Sequence, residues 1–201
     1  MFELCDTVFQ GTVLGPTLWN VFFHDVALAA TWHGAQEAMF ADDLNAFKSY
    51  DITVTPESIT NDMQKTRTEV HRWGNRNRFT FDASKEHIVI IHPQQGLGEP
   101  FKLLGCLIDT KLSMRPAIDA IIAHVRPKIN ALLRTRGFYD HANMFAQYKT
   151  HIWGHTEYQN GAIFHAASSE LAKLDRLQRH YVRELSITEE SAFMHYNFAP
   201  P

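Results

Sequence analysis

The chain has 201 residues, of which 45% are hydrophobic and 20% charged, and its formal net charge is −3. This is a globular composition for one large domain or two small ones, and it argues against a strongly basic nucleic-acid binder. Two cysteines are too few for a disulfide framework, and the first ten residues lack the features of a signal peptide. We therefore expect an intracellular protein, nuclear or cytoplasmic.

Charge is distributed unevenly along the chain. Residues 1–61 contain eight acidic side chains and one basic side chain, whereas residues 111–136 contain six basic and one acidic. The acidic front would suit metal binding and the basic middle would suit a phosphate backbone, although two ordinary solvated faces account for the same pattern.

The first elements form a glycine-containing loop followed by a helix. Residues 10–16 carry two glycines and end in Pro16, which suits the first turn of a helix because its missing N–H costs nothing there. Apolar residues at helical spacing predict a buried helix over residues 17–31. His24 and Asp25 interrupt this apolar stretch, which leaves it short of a membrane span, and we expect no membrane partner.

Two short strands should follow the helix. Residues 37–41 and 44–49 predict a β-hairpin with the acidic pair Asp42-Asp43 at its tip. Thr55-Pro56 is a helix start signal for a second helix, which should end near Gly74.

The remaining elements change in character along the chain. The sequence between residues 79 and 108 predicts three strands, at residues 79–81, 86–92 and 101–108. The rear predicts three helices, at residues 118–133, 142–152 and 171–185. The sequence therefore predicts an α+β front that leads into an all-helical rear, with the boundary near residues 111–116.

Adjacent carboxylates at a turn repel each other unless a cation offsets the repulsion. Mg²⁺ favours a few carboxylates together with phosphate oxygens and waters, and two such ions about 3.5–4 Å apart catalyse in-line phosphoryl transfer. An Asp-Asp turn alone is usually a solvated turn, so Asp42 and Asp43 need other motifs to support a metal role.

Four blocks supply that support. QGTVLGPTLWNVFF, FADDLNAF, RWGNRNRFTFDASKE and FKLLGCLIDTKLS follow one another in this order. They resemble the later motifs of the reverse transcriptases of non-LTR retrotransposons. The resemblance implies a partial polymerase palm, an antiparallel sheet with helices and a primer-grip hairpin, over residues 1–112. A helical thumb and connection region would occupy residues 113–201.

The resemblance also implies a role for individual residues. Asp42 would be the principal Mg²⁺ ligand, with Mn²⁺ as a substitute ion, Asp43 a weaker ligand, and Lys85 a proton or charge donor to the leaving pyrophosphate. The residues that would contact the template or nucleotide are Gln10, Gly11, Gly15, Phe40 and Ala41. The primer grip would centre on Leu104 and Gly105, and the side chains on the nucleic-acid backbone would be Arg126, Lys128, Arg134 and Arg136. The parent enzyme's partners are an RNA template, a DNA primer and deoxynucleotides.

The chain departs from the family in two ways. Phe9 stands where the family usually has proline, and no residue matches the family's first metal-binding aspartate, which lies several tens of residues before the glutamine-glycine loop. We therefore expect no polymerase activity from this chain alone. We also expect an exposed apolar flank on the helix that contains Val21.

Three other interpretations stay open. A degenerate or repurposed module would bind nucleic acid without catalysis, and a structural helical protein would carry the acidic hairpin incidentally. His151 and His155, four residues apart, would share a helical face as zinc-binding pairs do, but helical packing explains them better.

Overall fold

The computed structural model describes residues 11–200, so the predicted contact residue Gln10 lies outside the described residues. The structure is mixed α+β and 55% helical, with two small antiparallel sheets, which confirms the predicted class. The chain forms two compact units, Met1–Ile88 and Val89–Pro201. The predicted palm–thumb division at residue 112 refers to the polymerase family and stays a prediction. No helix in residues 11–200 is long and apolar enough to cross a membrane.

From residue 11 onward, the first unit contains three α-helices, a two-stranded sheet and a short 3-10 turn. The helices are α1 (Gly15–Phe23), α2 (Val26–Thr31) and α3 (Pro56–Arg76). The strands are β1 (Gln36–Phe40) and β2 (Asp43–Phe47), and the 3-10 turn is Ala83–Lys85. The hairpin and α3 are therefore confirmed.

The single buried helix predicted over residues 17–31 is wrong in two respects. It is broken between α1 and α2, where Asp25 accepts a hydrogen bond of 3.0 Å from the indole Nε1 of Trp73. It is also only partly buried, because Val21 is 73% exposed and Leu18 is 54% exposed. The exposed flank expected around Val21 is therefore confirmed.

An aromatic cluster holds the helices of the first unit together. Its buried centre consists of Phe23, Val26 and Trp73. Trp19, Phe22, Phe79 and Phe81 surround this centre with ring centroids 4.9–6.3 Å apart. Aromatic pairs at such separations contribute roughly 0.5–1.5 kcal/mol beyond their buried area.

The strands predicted at residues 79–81 and 86–92 are absent. Phe79 and Phe81 lie outside any strand, and their rings pack against Trp73. Glu86 binds Arg67 and His71 of α3 through its carboxylate. These side-chain contacts fix the segment without a ladder of backbone hydrogen bonds.

The second unit begins with a small hairpin and continues as helices. The strands are β3 (Phe101–Leu103) and β4 (Cys106–Ile108), which pair as a hairpin, so the single strand predicted at residues 101–108 is wrong. The primer-grip role of this hairpin stays a prediction. The two long helices are α4 (Arg115–Arg134) and α8 (Ser168–Glu184), and α5 (His141–Tyr148) lies between them in the chain. The π-helical segment Lys149–Trp153 follows α5, and the shorter helices are α6 (Gly154–Glu157), α7 (Asn160–Ile163) and α9 (Glu189–Tyr196).

One apolar core joins these helices. Ile118, Val125 and Ile129 of α4 are completely buried, as the apolar spacing predicted. They belong to a cluster that also includes Phe145 and Tyr181, whose hydroxyl donates a buried hydrogen bond of 2.8 Å to the carbonyl oxygen of Met144.

Candidate functional site

The acidic turn connects β1 and β2. Phe40 pairs with Asp43 at the end of the ladder, so Ala41 and Asp42 form a two-residue loop and Asp43 is the first residue of β2. The tip of the hairpin is therefore one residue earlier than predicted. The pairing with Phe40 accounts for the change, because it draws Asp43 into the sheet.

Ala41 has a strained backbone. Its φ is 55°, in the left-handed region, which costs an L-residue other than glycine roughly 1–2 kcal/mol. Its carbonyl oxygen accepts a hydrogen bond of 2.9 Å from Nε1 of Trp19 in α1. This bond ties the helix of the first sequence block to the turn of the second block.

Asp42 and Asp43 are both exposed and supply hard oxygen donors of the kind that Mg²⁺ prefers. Within residues 11–200, no group of three or more His, Cys, Asp or Glu side chains is arranged to hold a metal ion. Two carboxylates fit an ion that also binds phosphate oxygens and waters, as Mg²⁺ does with nucleotide substrates. The donor set therefore fits the ion only when a substrate supplies further ligands.

The glycine loop leads directly into α1. Gly11 has a φ of 86°, which glycine adopts without steric cost, and no atom of residues 11–200 lies within 4 Å of a Cβ added there. Gly15 is buried as the first residue of α1, and its N–H bonds the carbonyl oxygen of Thr12 at 3.2 Å. Gly11 is thus exposed in the loop, whereas Gly15 is buried at the start of α1.

Lys85 lies in the 3-10 turn of the first unit. Its ammonium is 3.9 Å from the Asp82 carboxylate and the side chain is 84% exposed. Among the described residues, no hydrogen bond or ion pair connects Lys85 to Asp42 or Asp43. Its role toward pyrophosphate remains a prediction.

The predicted primer-grip residues form the turn of the β3–β4 hairpin. Leu104 and Gly105 have φ values of 47° and 81°, and both flank the strand pair Leu103–Cys106. The carbonyl oxygen of Gly105 accepts a hydrogen bond of 3.2 Å from Nε2 of Gln159, which follows α6. The hairpin is therefore supported by the helices of its own unit.

The four basic side chains do not form one surface. Arg126 and Lys128 are two residues apart on α4 and so point about 200° apart around the helix. Arg136 donates a hydrogen bond of 3.0 Å to the carbonyl oxygen of Leu133, which caps the end of α4, and Arg134 is exposed. Their contact with a nucleic-acid backbone stays a prediction for each side chain separately.

Lys128 contacts a pair of histidines. Its ammonium lies 2.6 Å from Nε2 of His155, and the His155 ring lies against that of His124 with 4.6 Å between centroids. Desolvation, then Lys128 and His124, lower the pKa of His155. Because the ammonium donates to Nε2, that nitrogen is engaged, which favours packing over the zinc alternative.

The link that positions the turn has no signal in the sequence. Nothing there indicates that the indole N–H of Trp19 reaches a carbonyl oxygen 22 residues away. The hairpin is also anchored at its base, where the Lys48 ammonium donates to Asp62 of α3 at 2.6 Å and to the carbonyl oxygen of His33 at 2.9 Å.

Hydrogen bonds at the base of the hairpin shift the pKa values of the groups that form them. Hydrogen bonds from Lys48 and then from Tyr50 lower the pKa of Asp62 to about 2. Burial and the hydrogen bond to Asp62 raise the pKa of Tyr50 to about 12. The carboxylate is therefore charged and the phenol protonated at neutral pH, which keeps β2 fixed against α3.

Comparisons of the chain with protein-family models, with curated proteins and with solved structures found no match.

Proposed function

We propose that this chain is a segment of an RNA-directed DNA polymerase of the non-LTR retrotransposon kind. In this proposal the β1–β2 turn contributes carboxylates to the nucleotidyl-transfer site. The observation that carries the proposal is the hydrogen bond of 2.9 Å between Trp19 and Ala41. It brings together two of the four sequence blocks, the glycine loop with its helix and the acidic turn, as a shared site requires.

The turn has the chemistry that this role needs. Asp42 is exposed in the loop and would bind a Mg²⁺-nucleotide complex through one carboxylate, with Asp43 at the start of β2 as the weaker partner. Bound Mg²⁺ would stabilise negative charge on the transferred phosphate and activate the primer hydroxyl. The backbone at Gly11 would lie against the template or nucleotide, because its open surroundings leave space for a base or sugar.

The other residues would act around this centre. Lys85 is exposed and carries a positive charge that would offset the charge of the leaving pyrophosphate. The β3–β4 turn at Leu104 and Gly105 would hold the primer end. The RNA template, DNA primer and deoxynucleotides are the partners of the parent reaction, and the isolated chain is expected to bind them without turnover.

Ion binding tests the proposal directly. Mn²⁺ would be titrated into the full chain with a deoxynucleoside triphosphate present, and broadening of amide NMR signals near the ion would be followed. Asp42→Asn should weaken Mn²⁺ binding about tenfold, or about 1.4 kcal/mol, because it removes the principal anionic ligand. Asp51→Asn is the matched control, because Asp51 is an exposed aspartate of the same unit whose carboxylate already accepts from Thr53.

The outcomes separate the alternatives. Equal affinities for the Asp42 and Asp51 variants, or broadening away from residues 40–43, would contradict the metal role of the turn. Salt-dependent binding of an RNA–DNA duplex without Mn²⁺ at the turn would favour the non-catalytic nucleic-acid module. Nucleotide incorporation by the chain that Asp42→Ala abolishes would contradict the expected inactivity and support the metal role.

A further inference from the structure

The turn between α4 and α5 exposes two neighbouring aromatic rings. Phe138 is 85% exposed, the highest value among the aromatic side chains of residues 11–200, and Tyr139 is 48% exposed. Within those residues, neither ring contacts another ring or a cation, and the Tyr139 hydroxyl forms no hydrogen bond. Because burial of an aromatic side chain is strongly favourable, the fold gains little from these rings where they lie.

The backbone of the turn is held at both ends. The N–H of Phe138 donates to the carbonyl oxygen of Thr135 at 2.9 Å, and the Thr135 hydroxyl donates to the carbonyl oxygen of Leu132 at 2.7 Å. Asp140 is the N-cap of α5, and its carboxylate accepts from the N–H of Asn143 at 2.8 Å. The rings therefore lie on a turn anchored to a helix on each side, so that binding would order little additional backbone.

Two arginines adjoin the exposed rings. Arg134 ends α4, and Arg136 lies in the turn two residues before the first ring. In the described part of the chain, neither guanidinium has a carboxylate within 4.0 Å, and Arg136 uses one of its N–H donors on the carbonyl oxygen of Leu133. Asp140, engaged as the cap of α5, is the only acidic residue from position 120 to position 140. The turn therefore carries a surplus of positive charge, which favours an anionic ligand.

We propose that the α4–α5 turn binds single-stranded nucleic acid. An unpaired base stacks on the ring of Phe138, the next base lies on Tyr139, and Arg134 and Arg136 contact phosphates. Every base has a π-face, so aromatic side chains beside arginines bind single strands with little sequence preference. The polymerase resemblance implied backbone contacts for the two arginines, whereas the stacking role follows from the exposure of the rings and does not involve the acidic turn.

A single strand fits these rings better than a duplex or a protein does. Bases in a duplex are stacked on one another, so an unpaired base is needed to offer its face to a side chain. An anchor ring in a protein interface lies among residues that exclude water, whereas the sequence neighbours of these rings are polar or small. Those neighbours are Arg134, Thr135, Arg136, Gly137 and Asp140.

Fluorescence anisotropy with the full chain provides the test. The probes are a labelled oligothymidylate of about 12 nucleotides, the matching oligouridylate, and the thymidylate annealed to oligoadenylate. The chain should bind either single strand at least about tenfold more tightly than the duplex, whose bases are already paired. Two phosphate contacts predict a slope of about −1.4 in log affinity against log salt concentration, because each contact on a single strand contributes about −0.7.

Substitutions at the first ring separate stacking from general apolar contact. Phe138→Ala should weaken single-strand binding at least about fivefold, and Phe138→Leu should weaken it about as much, because leucine has no ring face. Phe138→Trp should keep the affinity, because indole also stacks. Phe164→Ala is the matched control and should change the affinity by less than about twofold, because Phe164 is a 61% exposed phenylalanine with no arginine or lysine within five positions.

Substitution of the arginines tests the phosphate contacts separately. Arg134→Ala and Arg136→Ala should each make the salt slope shallower by about 0.7. All titrations contain a chelator and no divalent metal, so their result does not depend on ion binding at the acidic turn. Circular dichroism would verify that substitutions at these exposed positions leave the fold intact.

Four results would overturn the proposal. They are equal affinity for single strand and duplex, full affinity in Phe138→Leu, a loss in Phe164→Ala as large as that in Phe138→Ala, and no binding at low salt with the chain at about 100 μM. Full affinity in the leucine variant would also indicate that the ring is an apolar anchor for a protein partner rather than a stacking platform.

Discussion

The two units are stabilised in different ways. The second unit buries a large apolar cluster that includes completely buried residues from several helices, among them Ile118, Ile152 and Tyr181. In the described part of the first unit, the corresponding cluster has only Phe23, Val26 and Trp73 as its buried centre. The second unit is therefore stabilised by a large apolar core, whereas the described part of the first is stabilised by a small aromatic cluster and by polar contacts.

The first unit exposes several large apolar side chains on its surface. Four apolar residues on and beside α1 and α2 are more than half exposed: Val13, Leu18, Val21 and Leu28. Its hairpin is attached to α3 by hydrogen bonds among Lys48, Asp62 and Tyr50, and Leu44 of β2 packs against the aromatic cluster. We therefore expect the loss of an aromatic side chain to cost the first unit less than it costs the second.

Removal of one phenyl ring from each unit gives the largest expected effect. Phe145→Ala should destabilise the second unit by about 3–5 kcal/mol, because Phe145 is 1% exposed and its loss leaves a cavity. Phe22→Ala should cost the first unit only about 1–2 kcal/mol, because Phe22 is 38% exposed. Urea-dependent hydrogen exchange measured for each unit checks both values, and equal losses would contradict the proposed difference.

Two glycine substitutions give effects of opposite sign. A Cβ at Gly74 would lie 2.7 Å from the carbonyl oxygen of Phe79 and 3.1 Å from Cε2 of Phe81, so Gly74→Ala should destabilise the first unit by about 1–3 kcal/mol. Gly154 has helical angles and open surroundings, so Gly154→Ala should stabilise the second unit by about 0.4–1 kcal/mol. Thermal unfolding of both variants tests this, and stabilisation by Gly74→Ala would show that the aromatic contact is loose.

Local signals predicted the elements that depend on neighbouring residues. Thr55 caps α3 through its hydroxyl and Pro56 is its first residue, as the sequence indicated. The apolar spacing of α4 predicted its buried face, including Ile118 and Ile129. These features are local because a helix cap and a helix face are set by residues within a few positions of one another.

Contacts between distant residues explain what the sequence could not predict. The break between α1 and α2 involves Asp25 bonded to Trp73, 48 residues later in the chain. The link between Trp19 and Ala41 spans 22 residues. Arg126 of α4 and Arg176 of α8, which are far apart in the sequence, line the same groove between those two helices. Hydrophobic periodicity carries no information on such pairings, because it reports the environment of each element and not its neighbour.

Substitution of Lys48, which attaches the hairpin to α3 through Asp62, should change stability least, and it tests the role of charge in the first unit. The pKa of Asp62 is held at about 2, below its ordinary value of 3.8, with the Lys48 bond as the largest cause. A lowered pKa means that the stabilisation is present above about pH 4 and is lost as the pH falls toward 2. Lys48→Met should therefore raise the pKa of Asp62 toward 3.8 and reduce the acid dependence of unfolding of the first unit.

Lys65→Met is the matched control for this titration. Lys65 also lies near Asp62, but its ammonium is 3.4 Å away on the same helix, against 2.6 Å for Lys48. Its removal should raise the titration midpoint of the Asp62 carboxyl carbon, followed by NMR in the full chain, less than Lys48→Met does, because the Lys48 bond is the larger cause of the low pKa. Equal increases in the two variants would show that general positive charge, and not the Lys48 hydrogen bond, lowers the pKa. The hairpin would then be held by its contacts with α1 and α2, so the turn at Ala41 would depend on the Trp19 hydrogen bond rather than on the base of β2.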